Sequence, residues 1–140
     1  MTTGSWFVLC RRDRLLSLSE IVPRLLPLTD ARVETLEPEY MEIVVDDALT
    51  GNRATIEVYK DAEPHVLLES QELADDFEDI RSDVDAIAKA DARYVLTWDL
   101  RYGDETYNTM LAVAERLAEA CDGIIYDTTT GDILWSAHET

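Results

Sequence analysis

The side chains able to act as nucleophiles, bases or metal ligands are scarce in one class and crowded in another. Cys10, Cys121, His65 and His138 are the only thiols and imidazoles in the chain. None stands at a spacing that chemistry uses. There is no His-Glu-x-x-His, no Cys/His ligand cluster and no Gly-x-Ser-x-Gly elbow, so neither an activated water nor an activated serine is encoded locally. A Cys10–His65 pair would require the fold to join two residues that nothing in the sequence links. Carboxylates are abundant, and Asp46-Asp47 and Asp127 with Asp132 flank glycine-bearing turns that could hold a divalent cation. Neither follows the EF-hand pattern of alternate oxygen ligands closed by a glutamate, and Asp and Gly serve turn backbones in their own right. Five glycines leave no phosphate-cradling loop. The expectation is a chain with no catalytic residue, no metal ligand and no cofactor, and so not an enzyme.

The elements that position these residues follow from hydrophobic period. Ser5 to Arg12 reads as a buried strand through Trp6, Phe7, Val8, Leu9 and Cys10. Ser17-Leu18-Ser19-Glu20 has the spacing of a capping box, and Pro23 fits the helix that follows if Ser19 is its cap. Val33 to Leu36 begins a further strand. Met41 to Val45 and Ala54 to Tyr59 form a hairpin about Thr50-Gly51-Asn52. His65 to Glu69 reads either as a short strand or as the approach to a helix. From 70 to 89, Leu73, Phe77, Ile80, Val84 and Ile87 recur at four and three residues, which predicts one helix with Ser70 as its cap. Arg93 to Leu100 alternates as a strand. A helix from Thr106 to Cys121 stops at Asp122-Gly123, with Gly expected in the left-handed conformation. A hairpin of Ile124 to Asp127 and Ile133 to Trp135 closes the chain.

This order predicts a single α+β domain over residues 1–140: a ferredoxin-like split βαβ core (βαββαβ) with an appended helix and a C-terminal β-hairpin. Its expected core includes Phe7, Val8, Leu9, Leu25, Phe77, Ile80, Val84, Leu96, Trp98, Met110, Leu117 and Ile125.

Charge separates the function classes. Thirty acids face 12 bases, for a formal net charge of -18 in 140 residues. Such a chain offers few cations to displace counterions from nucleic acid, and anionic lipid repels it. The excess is uneven: residues 61–91 hold eleven acids against Arg81 and Lys89, while residues 1–30 carry a slight positive excess. On the predicted helix, Asp75, Glu78, Asp79 and Asp85 point away from the apolar stripe, and Glu72, Asp76 and Asp83 lie on its flank. Like charges at three and four residues oppose the helix that carries them. These seven acids are the candidate partner-binding face, with a basic protein as the expected partner; the same pattern is also that of a plain solvated helix face or of a general, halophilic acidity. No apolar run reaches the length of a membrane span, and the run at Trp6 to Cys10 is too short for a signal-peptide core, which points to the cytoplasm.

The ending Ala114-Glu115-Arg116-Leu117-Ala118-Glu119-Ala120, followed by Asp122-Gly123-Ile124-Ile125-Tyr126-Asp127 and Thr130-Gly131-Asp132-Ile133, is similar to the close of small bacterial α+β domains. With the small size and acidity, it resembles the cytosolic immunity proteins of bacterial polymorphic-toxin and contact-dependent systems. The resemblance implies a protein that binds and occludes a cognate toxin, for which a nuclease with a basic cleft would be a suitable partner. The alternative is a regulatory or ligand-binding ferredoxin-like module, able to form a homodimer through its sheet.

Overall fold

The computed structural model describes residues 3–25, 27–28, 31–46, 53–99 and 104–138. The turn at 50–52 and Leu100 lie outside them. The strands are β1 (Thr3–Cys10), β2 (Ala31–Leu36), β3 (Tyr40–Asp46), β4 (Arg53–Asp61), β5 (Ala92–Asp99), β6 (Ile124–Asp127) and β7 (Asp132–Ser136). The helices are α1 (Leu18–Leu25), α2 (His65–Asp76), α3 (Val84–Ala88) and α4 (Asp104–Cys121). All the strands join one antiparallel sheet in the order β2-β3-β4-β5-β1-β6-β7.

That order corrects the ferredoxin-like expectation. In the βαββαβ core read from the sequence, the strand here numbered β4 would lie beside β1. Instead β5 separates them, pairing with β1 from Thr3↔Asp99 to Cys10↔Ala92 and with β4 from Glu57↔Thr97 to Asp61↔Arg93. A split βαβ unit does occur, but later in the chain: β5, α4 and β6, with β1 inserted between the two parallel strands.

One face of the sheet is closed by α1 and α4. Trp6, Val8, Met41, Ile43, Ile56, Val58, Tyr94 and Leu96 project from alternate strand positions and meet Leu18, Ile21, Met110, Val113 and Leu117. Trp6 packs edge-on against Trp98, ring centroids 4.5 Å apart. The cap of α1 is Ser17, not Ser19: Ser17 Oγ accepts from the Glu20 amide at 3.3 Å, and Glu20 Oε1 accepts from the Ser17 amide at 3.4 Å. Pro23 therefore lies inside the helix.

The stop of α4 has two parts. Asp122 takes the left-handed conformation expected of Gly, with φ 52°, and the Gly123 amide donates to Ala118 O at 2.8 Å. Gly123 is required for closeness instead, since a Cβ there would come within 3.0 Å of Leu9 O and Val8 Cγ1. In the last hairpin Gly131 has φ 77°, and Asp127 Oδ1 accepts from Thr129 N at 2.8 Å. Asp127 thus serves its own turn.

Candidate functional site

The single helix expected over 70–89 is two helices with a turn between them. His65–Glu69 belongs to α2, which starts behind Pro64, a residue suited to a first turn whose amides need no partners. Ser70 is consequently not a cap but sits mid-helix, 1% exposed. The helix ends at Phe77, whose amide reaches back to Ala74 O, and Ile80 N donates to Phe77 O at 3.0 Å. Asp75, Asp76, Glu78 and Asp79 crowd this point, where continued helix would align like charges.

The break rearranges both the core and the acidic face. Ile80, expected inside, is 77% exposed, while Phe7, Phe77 and Val84 are half-buried. Asp83 leaves the candidate face altogether. It is buried and receives Arg81 Nε at 2.8 Å and Arg81 Nη2 at 3.0 Å, and this guanidinium holds its carboxyl below the usual carboxylate range. Glu72, Asp75, Asp76, Glu78, Asp79 and Asp85 remain exposed, spread over α2, the turn and α3. None of the six is within ion-pair distance of a cation among the described residues. Leu68, 62% exposed, stands with Glu72 and Asp75 on the outward side of α2.

A second acidic surface was not anticipated. Helices α2 and α3 cover the sheet's other face only where Leu9, Ile87, Ile124 and Ala74 meet. Over β3 and β4 that face carries Tyr40, Glu42, Val44, Thr55, Glu57 and Tyr59. Glu42 and Glu57 are direct cross-strand partners, an arrangement that repels unless donors intervene. Tyr40 supplies one, donating to Glu42 Oε1 at 2.6 Å, and Tyr59 donates to Glu57 Oε2 at 3.2 Å. Thr97 donates to the same oxygen at 3.2 Å. Partial desolvation and then the neighbouring carboxylates raise both phenols above their ordinary range. The signal was available: Tyr40, Glu42 and Val44 alternate with Met41, Ile43 and Val45, so one strand presents two unlike faces.

The chemical candidates separate into different places. Cys10 packs against Cys121, and that contact, followed by burial, pushes its thiol up, away from the thiolate a nucleophile needs. His65 lies instead by Asp61 at 3.2 Å and Glu69 at 3.8 Å. Asp46 is engaged by Arg32 and, at 3.4 Å, by Arg53. Among the described residues no three His, Cys, Asp or Glu side chains converge to hold a metal ion, and no helix is long and apolar enough to cross a membrane. No family model, curated protein or solved structure matches the chain.

Proposed function

We propose that this chain is a non-catalytic binding protein for a basic protein surface, an immunity protein that neutralises its cognate toxin by occluding it in the cytoplasm. The observation that carries the reading is the set of six exposed carboxylates from Glu72 to Asp85 without a cation at ion-pair distance among the described residues. Uncompensated acids repel one another, and a basic partner relieves that repulsion on binding. Leu68 and Ile80 supply exposed apolar contact beside them, as an interface core needs. A nuclease cleft built to hold phosphates presents the complementary charge.

The test is capture of the partner from the producing strain, followed by binding rates at increasing salt. Association should slow markedly as the screening length falls from about 10 Å at 0.1 M to about 3 Å at 1 M, while dissociation changes less. Replacing Asp75, Glu78, Asp79 and Asp85 by Asn or Gln should lower the association rate by about tenfold or more and leave the fold intact. Unchanged association in that variant removes these acids from the interface.

A further inference from the structure

The chain's two cysteines stand at the ends of different elements, Cys10 closing β1 and Cys121 closing α4, and the fold brings them together. Val8 and Cys10 project from β1 onto the face that α4 covers, and Cys121 belongs to the same buried cluster. The β1–β6 ladder ends at Leu9↔Ile124, which brings Gly123 level with Cys10. A Cβ on Gly123 would stand 2.9 Å from Cys121 Sγ, 3.0 Å from Leu9 O and 3.0 Å from Val8 Cγ1. The Cys121 thiol therefore occupies the space that the glycine leaves beside β1, and there it shares a hydrogen bond with the Cys10 thiol. Both thiols are free and buried.

A buried cysteine by itself needs no explanation beyond packing. Here both cysteines of the chain meet across most of its length, at a point cleared by a glycine. Both also line one cleft of about 310 Å³, which gives a small molecule an approach to them. A bond between them would close a loop spanning most of the chain, the case in which a cross-link most restricts the unfolded state. Two thiols already in contact have the second step of thiol–disulfide exchange in place, because it becomes intramolecular.

We propose that Cys10 and Cys121 form a reversible disulfide by exchange with a small disulfide such as oxidised glutathione, fastening the end of α4 to β1. One thiol loses its proton and attacks the oxidant, breaking its S–S bond and releasing one glutathione thiolate, which takes up that proton. The other thiol loses its proton and attacks the resulting mixed disulfide, forming the Cys10–Cys121 bond and releasing the second glutathione. Two electrons pass from the chain to the oxidant. Burial keeps the resting pair protonated, so exchange is slow and proceeds while the end of α4 is open. The inference is independent of the partner surface and is tested on the chain alone.

In the test the full chain is brought to equilibrium in glutathione buffers of increasing oxidised fraction, quenched in acid, unfolded, alkylated and weighed intact. It should lose two hydrogens, take up neither glutathione nor alkylating agent, stay monomeric and revert with dithiothreitol. Peptide mapping should join Cys10 to Cys121. The equilibrium constant for closure should be about a hundredfold larger in the folded chain than in urea, and oxidation should raise the folding constant by the same factor. In Cys121→Ser the same oxidation should leave the folding constant unchanged. Glutathione adducts in the wild type, disulfide-linked dimers, thiols that stay free in every buffer, or a closure constant no larger in the folded chain than in urea would each overturn the proposal. So would an equal gain in Cys121→Ser.

Discussion

On one face of the sheet Trp6, Val8, Ile43, Ile56, Tyr94 and Leu96 form a continuous buried layer under α1 and α4. On the other, the intervening residues Phe7, Leu9, Glu42, Glu57, Arg93 and Thr97 divide into an apolar patch under α2 and α3 and a polar expanse over β3 and β4. The strands are the same, so the difference comes from what the connections deliver. Helix α4 has 18 residues and α1 buries Leu18, Ile21 and Leu25, enough to close a face. Helix α2 is interrupted after 12 residues by its own acids, and α3 adds only five. Stability therefore concentrates on the first face, and the second is left to hold charge and exposed acids.

The sharpest way to break that comparison is to truncate one side chain on each face. Leu117→Ala, within the closed layer, should cost about 3–5 kcal/mol in denaturant unfolding. Phe77→Ala, on the half-buried patch, should cost about 1–2 kcal/mol, because only part of its surface is removed from water. Equal losses would mean that the two faces share one core. Asp83→Asn falls between these, at about 2 kcal/mol, since it weakens charge-assisted bonds from Arg81 in a buried setting. Its pH dependence has a fixed sign. A carboxyl lowered by folding contributes stability above its ordinary value of 3.8, lost as pH falls through the depressed folded value. The variant should lack that acid limb when urea midpoints are compared across acid pH.

Tyr94 tests the closed face at the other end of the scale. Burial raises its phenol above the ordinary 10.0, and its hydroxyl donates to Leu16 O at 2.7 Å. The folded state keeps this proton longer than the unfolded chain does, so stability should fall as pH rises above about 10. Tyr94→Phe should cost about 1 kcal/mol at neutral pH and flatten the alkaline decline. The smallest effect belongs to the open face. Glu57→Gln relieves the pairing with Glu42 and should change stability by only a few tenths of a kcal/mol. It should also bring the Tyr59 phenol down toward its ordinary range, seen as an earlier rise in phenolate absorbance.

Local rules were legible wherever neighbours in sequence are also neighbours in space. The Ser17–Glu20 capping box, the α4 stripe through Met110, Val113 and Leu117, and the Asp122-Gly123 stop each rest on contacts a few residues apart. The acidity of 61–91 needed only a count. What the tertiary structure alone decided was pairing. The period of Leu73, Phe77, Ile80 and Val84 suits one helix, yet Asp83 is better satisfied buried on Arg81, and Ile80 turns outward when the helix yields. The strand alternation allowed β5 to lie beside either β4 or β1, and it lies beside both, which places Arg93 over Phe7 with Asp61 and Glu69. That convergence draws on residues far apart along the chain, so hydrophobic period, which reports only on neighbours within a turn or a pleat, carries no trace of it.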